Sequence, residues 1–483
     1  MRYVSTRSDK YTASASEAIL AGIAPDGGLF VPESFPQPDF AGWRDYSYQE
    51  VAVHLFSLFL TDFSPAAIRQ VVAASYSTNF DSPQITPIHW LDEKTGVLEL
   101  WHGPTLAFKD LALQCLPQLF EEAKKIQAIR ERFLILTATS GDTGKAAMSG
   151  FSGKKDALVA VFYPHGGVST FQERQMLSSR SANVRAFAVE GNFDDCQRSV
   201  KALMQAEDFR ARMSRQSIRL TSANSINVGR LIAQMVYYIY AYLQSCEKYG
   251  DPLSFVVPSG NVGNILAARY CKEMGLPVGR IHLAANSNKV LYDFLSTGSY
   301  DANRKLLKTT SPSMDILIAS NMERYLHLLT EDNSYISDLM ESLKNYGSFS
   351  FDPELFDLES SWVTEEQVLA RIKKTYADYG YLLDPHSAVA ADALFNAEMP
   401  GRRLVVSTAS PYKFAETVLT ALGQDLPPDD RGQILQLQQL LGTGLPPAIE
   451  DLWSLQPRER QCLLPEEMEA AIDQLIGANY EEA

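Results

Sequence analysis

Phe133-Leu134-Ile135-Leu136-Thr137-Ala138-Thr139-Ser140-Gly141-Asp142-Thr143-Gly144 is a short apolar run that opens into small polar residues and glycine. Four apolar residues in succession, with no polar alternation, read as a strand buried on both faces. The Thr-Ser-Gly-Asp-Thr-Gly stretch reads as a loop that starts a helix, where backbone N–H groups lack intrahelical acceptors. The same rhythm recurs outward from this stretch. Residues 157–162, 184–189, 253–257, 281–285 and 404–406 are apolar runs of strand length, and most precede a helix-like segment. Strands alternating with helices imply a mostly parallel sheet covered on both faces, an α/β fold.

Ligands of such sheets bind beyond the carboxyl ends of the strands. Three of the runs end in residues suited to that task. The first is the 139–144 loop. Phe255-Val256-Val257 leads into Pro258-Ser259-Gly260-Asn261-Val262-Gly263-Asn264, and Leu404-Val405-Val406 leads into Ser407-Thr408-Ala409-Ser410-Pro411. Free N–H donors and the helix dipole favour an anion there, although helix capping alone also explains Ser, Thr or Asn at such a position. Neither nucleotide motif fits. Gly141-Asp142-Thr143-Gly144-Lys145-Ala146 has the wrong gap for a P-loop and ends in Ala, and Gly260-Asn261-Val262-Gly263 lacks the first glycine of the dinucleotide fingerprint.

At 483 residues the chain is expected to form about three units. Residues 1–96 read as an N-terminal, mainly helical module with a turn at Pro25-Asp26-Gly27-Gly28. Residues 97–240 read as a first α/β lobe, 241–430 as a second lobe with a helical insertion near 290–375, and 431–483 as a C-terminal helical segment. Net charge is −15 and the pI about 5.0, which argues against broad nucleic-acid binding. The five cysteines are scattered without a C-x-x-C pair, and no H-E-x-x-H or comparable cluster appears, so no metal site is expected. No run reaches the ~20 apolar residues of a membrane span and no secretory leader is visible, so the expectation is a cytoplasmic protein, monomer or homodimer.

His102-Gly103-Pro104-Thr105-Leu106-Ala107-Phe108-Lys109-Asp110 places a lysine after an apolar triplet, at the start of the apolar helix Leu111-Ala112-Leu113. Burial lowers a lysine's pKa and prepares its amine for Schiff-base chemistry. A surface lysine at a helix start is the alternative from this segment alone. The segment resembles the cofactor-lysine motif of threonine synthases. Ala24-Pro25-Asp26-Gly27-Gly28-Leu29-Phe30-Val31-Pro32 is similar to that family's N-terminal signature, and Thr139-Ser140-Gly141-Asp142-Thr143-Gly144 to its second loop. Thr221-Ser222-Ala223-Asn224-Ser225-Ile226-Asn227 with Gly229-Arg230, and Pro258 to Asn264, resemble two further blocks. The resemblance covers roughly residues 1–425. It departs at Val228, where many relatives have Trp or Pro, and at Ser410-Pro411, where many have His-Pro.

The resemblance implies a two-lobed, tryptophan synthase β-like fold around pyridoxal 5'-phosphate. It also implies conversion of O-phospho-L-homoserine and water to L-threonine and phosphate. The alternative is a phospho-lyase that releases 2-oxobutyrate, ammonia and phosphate from the same substrate. Lys109 would hold the cofactor covalently. Gly260, Asn261, Val262, Gly263 and Asn264 would bind its phosphate and Thr408 would face its ring nitrogen. Asp142 would pair with the cofactor or order its own loop. Thr139, Ser140 and Thr143 are the expected ligands of the substrate carboxylate, and Arg230 with Asn227 of the substrate phosphate. Lys145 is another candidate for that phosphate, although a solvated helix residue is the reading its position favours, and His102 and His386 are assigned no chemistry.

Overall fold

The computed structural model describes residues 1–442 and 444–481; Thr443 and the last two residues of the 431–483 segment lie outside them. All six apolar runs are strands, in two sheets. The smaller sheet holds five parallel strands in the order Cys462–Leu463, Val184–Val189, Ala157–Pro164, Arg132–Ala138 and Ile218–Thr221. The larger holds six, in the order Glu359–Trp362, Val278–Ala285, Leu253–Pro258, Arg402–Ser407, Thr95–Glu99 and Ile88–Trp90. All are parallel except the last. Every residue of Ala157–Pro164 and of Leu253–Pro258 is buried. Helices on both faces account for that, and for the absence of alternation in the sequence.

The lobes do not follow the numerical division of the chain. Thr95–Glu99 precedes the smaller sheet in sequence but pairs with Arg402–Ser407 in the larger one. Gly96 permits the fit, because a Cβ there would lie 2.7 Å from the Leu404 side chain and 2.9 Å from that of Ile88. At the other end, Cys462–Leu463 interrupts the C-terminal helices Asp430–Leu441, Pro447–Ser454 and Met468–Glu481 and adds an edge to the smaller sheet. The tail is therefore more than a run of helices.

The N-terminal module adds a small antiparallel sheet to its helices, with Tyr3–Ser5 between Thr12–Ala13 and Phe30–Pro32. Ser14 with Glu17 and Ser47 with Glu50 form capping boxes that start helices Ala15–Ala21 and Tyr48–Phe59, and Ser64-Pro65 starts Pro65–Ser75. The insertion after residue 290 docks on this module. Arg7 pairs with Glu323 at 2.8 Å. The fully buried Arg324 donates to Phe30 O, Ile226 O and Asn321 Oδ1. Helix Val228–Ser245, buried almost throughout, packs against Tyr48–Phe59 and Gly263–Glu273, as expected for a helix apolar around most of its circumference.

Candidate active site

The lysine segment is shaped by its own neighbours. Thr105 donates its N–H and hydroxyl to Asp110 at 2.8 and 2.7 Å. Gly103 lies so close to Asp110 that a Cβ would approach its Cβ to 2.5 Å. Burial pushes the Asp110 carboxyl up to about 6, against the Thr105 hydrogen bonds. Leu106 adopts φ +61°, a left-handed conformation that costs a non-glycine residue about 1–2 kcal/mol. Two contacts from the far end of the chain hold this turn. Phe108 N–H donates to Thr408 O at 2.8 Å and Ser410 N–H to Leu106 O at 3.0 Å, around a bridge between Ala107 and Ala409. Lys109 thus begins helix Lys109–Leu113 directly beside Thr408.

The Lys109 side chain is 11% exposed, and its Nζ lies 3.6 Å from Asp142 Oδ2 and 3.3 Å from Ser313 Oγ. Burial pushes its pKa down; Asp142 opposes this, while Lys413 and Arg230 add to it. A readily deprotonated amine is what covalent carbonyl chemistry requires.

Asp142 is the first residue of helix Asp142–Phe151 and 3% exposed. Its Oδ1 meets Lys413 Nζ at 2.6 Å and accepts from Gln172 Nε2 at 2.9 Å. Burial alone would raise its pKa, but the ammonium groups of Lys413 and Lys109 overcome that and hold it well below the usual carboxylate range. One carboxylate oxygen is thereby fixed, and the other faces Lys109 and Ser313. In the same loop the Thr139 hydroxyl accepts from the N–H groups of Gly141 and Gly144, both at 3.0 Å. Thr139 thus orders the loop, and Ser140 and Thr143 flank Asp142 in half-buried positions.

The glycine loop forms a second concentration of donors. Val262, at φ +63°, turns the chain into helix Gly263–Glu273. Among the described residues, the N–H groups of Gly260, Asn261, Val262, Gly263 and Asn264 have no protein acceptor. The buried Ser259 Oγ and Asn264 Nδ2 have none either. Asn264 Oδ1 is held by the Tyr237 and Tyr238 hydroxyls at 2.5 and 2.8 Å, and Asn261 Oδ1 accepts from Ser320. A Cβ on Gly260 would come within 2.7 Å of Ser313 O, so the loop abuts the segment that carries Ser313 to Lys109.

Arg230 and Asn227 share a helix start but not a surroundings. The Asn227 amide is used within the protein, donating to Ile19 O at 2.8 Å and accepting from Gly229 N–H at 3.0 Å. It caps Val228–Ser245 and ties it to the N-terminal module, so its amide oxygen and nitrogen both have partners within the protein. Arg230 is 3% exposed, donates one bond to Ala223 O, and leaves its Nε unpartnered. Burial lowers its pKa to about 10. Lys145, expected in solvent, is half-buried. It has no ion-pair or hydrogen-bond partner among the described residues, and burial takes its pKa to about 8, with Asp110 opposing.

Lys413, Gln172 and Ser313 were not singled out in the sequence. Lys413 sits in Pro411-Tyr412-Lys413-Phe414, where its apolar neighbours were the only signal. Ser313 comes from the irregular 290–375 region. Its N–H donates to His386 Nε2 at 3.2 Å, and His386 Nδ1 faces Asp384 Oδ1 at 2.8 Å. The carboxylate therefore fixes the tautomer in which Nε2 accepts. His102 braces the lysine segment between Asp81 and Glu99, whose charges overcome burial and raise it to about 9.

Two α/β lobes, a buried amine, and an N–H cradle at a helix N-terminus define the class of pyridoxal-phosphate-dependent enzymes. Residues 84–410 match the family model described as Pyridoxal-phosphate dependent enzyme, and residues 2–76 that described as Threonine synthase N terminus. Threonine synthase of Saccharomyces cerevisiae is 38% identical over 464 residues, covering 87% of this chain and 89% of the yeast protein. Human threonine synthase-like 1 is 40% identical over 433 residues, and the chain spans 58% of its length. The PLP-bound threonine synthase of Brucella melitensis superposes with a TM-score of 0.88 at 35% identity over 99% of both chains. The chain belongs to the threonine synthase family. Lys109, the unpartnered donors of residues 260–264 and the close approach at Gly260 fit pyridoxal phosphate. Among the described residues no helix is long and apolar enough to cross a membrane.

Proposed function

We propose that this chain converts O-phospho-L-homoserine and water to L-threonine and phosphate. The carrying observation is the amine of Lys109, buried beside one ionised carboxylate and an excess of cations. Pyridoxal phosphate, when bound, supplies the electron sink for charge that develops on the substrate carbons. Residues 260–264 would hold its phosphate and Lys109 its aldehyde carbon, with Thr408 beside them. Lys109 Nζ, once released, carries protons to and from the substrate, because its lowered pKa keeps the neutral amine accessible. Asp142 remains ionised and keeps that nitrogen oriented, and Ser313 Oγ contacts both. The N–H groups at the start of Asp142–Phe151, with Ser140 and Thr143, suit the substrate carboxylate. Arg230 and Lys145 suit its phosphate, since one is a buried and the other a half-buried cation, and neither has an ion-pair partner among the described residues. The five free cysteines fit a reducing compartment such as the cytoplasm.

Incubation with O-phospho-L-homoserine and identification of the organic product tests the reaction. Threonine with equimolar phosphate is expected; 2-oxobutyrate with ammonia in its place would make the chain a phospho-lyase. Arg230→Ala is expected to raise KM for the phosphorylated substrate by about tenfold or more while changing kcat less, as loss of a charge-assisted contact to substrate should. An unchanged KM moves the phosphate site elsewhere. Lys145 carries its charge below its pKa of about 8 and loses it above. KM is therefore expected to rise as pH increases through about 8, and Lys145→Met to raise KM at pH 7 and flatten that rise. A variant with the wild-type profile would separate Lys145 from substrate binding.

A further inference from the structure

We propose that His165, Glu190 and Cys462, none of them placed in the catalytic centre, form a zinc-binding site on the smaller lobe. The three are scattered in sequence but meet where two adjacent parallel strands end and a two-residue edge strand begins beside them. His165 follows Ala157–Pro164, Glu190 follows Val184–Val189, and Cys462 opens Cys462–Leu463. The sheet sets their alignment. Pro164 pairs with Val189, which brings His165 level with Glu190, and Cys462 pairs with Ala188, which lies two residues before Glu190 and on the same face. Main-chain bonds of 2.9 Å from His165 N to Val189 O and from Glu190 N to Leu463 O carry the ladder past the strand ends.

One ligand atom from each residue lies within 4.8 Å of the other two, and Cys462 Sγ donates to Glu190 Oε1 at 3.1 Å. The His165 ring has no protein partner among the described residues. Zinc bonds of about 2.0–2.3 Å to N, O and S place tetrahedral ligands about 3.5 Å apart. The exposed side chains need to close by only about 1 Å. A thiolate with an imidazole and one carboxylate selects zinc over calcium or magnesium, which prefer all-oxygen shells. On binding, the Cys462 S–H bond is exchanged for an S–Zn bond, the proton passes to solvent, and water completes the fourth position. Arg460, the nearest cation in sequence, is neutralised by Glu173 at 2.6 Å. The ion would clamp a two-residue edge strand, and with it the C-terminal segment, to the lobe.

Cys462 is the exposed thiol among five free cysteines, so metal uptake by it can be read separately. The test is equilibrium dialysis of the chelator-washed full-length holoenzyme against Zn²⁺, with Co²⁺ as a spectroscopic substitute. About one ion per chain is expected, with tetrahedral Co²⁺ ligand-field bands. Cys462→Ser and His165→Gln should each weaken binding by at least about tenfold and leave turnover unchanged. No stoichiometric uptake, or uptake that survives both substitutions, overturns the assignment.

Discussion

Lys109→Ala is expected to lower kcat by about a thousandfold or more while the chain stays folded. The two halves of that expectation have separate causes. Catalysis should fail because the amine placed 3.6 Å from Asp142 and beside Thr408 is the proposed covalent anchor and proton carrier, and no other described lysine occupies that position. The fold persists because the deletion strands no charge. Asp142 keeps Lys413 at 2.6 Å and Gln172 at 2.9 Å, and the removed ammonium was itself disfavoured by burial. Circular dichroism and the thermal midpoint check the second half. Borohydride reduction followed by peptide mapping checks the first: wild-type protein should carry the reduced cofactor on Lys109, and the variant should carry none. Wild-type turnover in the variant, or a label on another side chain, refutes the anchor.

Lys413→Met is expected to destabilise the protein by about 3–5 kcal/mol, the scale for breaking a buried ion pair from one side. Its ammonium is 0% exposed, meets Asp142 Oδ1 at 2.6 Å and donates to Thr105 O at 2.8 Å. The substitution fills similar volume but leaves a 3%-exposed carboxylate with a weaker set of partners. Urea denaturation of Lys413→Met, Asp142→Asn and the double variant measures the coupling; most of the loss should be absent once the carboxylate is gone too. The pH dependence supplies an independent check. Asp142 has a depressed pKa in the folded protein, so its contribution is complete above the unfolded carboxylate value of about 3.9 and is lost as pH falls. Without Lys413 that pKa rises. Acidification therefore discharges the stranded carboxylate first in the variant, and the stability gap between the two proteins should narrow. A gap that is constant with pH, or a loss below about 1 kcal/mol, removes Lys413 from this role.

Six of the parallel strands were legible because each is a short apolar run bounded by turn residues, a property of a few consecutive positions. The loops after Ala138, Pro258 and Ser407 were legible for the same reason: chain entering a helix from a strand end needs small residues and glycine. The other strands of these two sheets, Ile88–Trp90, Thr95–Glu99, Ile218–Thr221, Glu359–Trp362 and Cys462–Leu463, are two to five residues long, and three of them carry Gly, Thr, Arg, Glu or Ser. Their pairing is decided by partners far along the chain. Ser313 and Gln172 belong to segments whose local pattern resembles that of many solvent-facing loops and helices, so nothing nearby distinguished them.

What the amino-acid sequence determined by itself was the inventory: an α/β chain, a lysine at the start of an apolar helix, a glycine-rich loop after a strand, and a carboxylate at a helix start. These follow from periodicity, chain stiffness and residue chemistry, which act over a handful of neighbours. Only the tertiary structure decided how charges were matched. The bridge between Ala107 and Ala409 brings Lys109 to Thr408 and Lys413 to Asp142. Elsewhere the packing of the chain left Arg230 and Lys145 without ion-pair partners among the described residues and committed the Asn227 amide to a cap. Burial and Coulomb energy depend on everything that closes around a group, and residues three hundred positions apart closed around these.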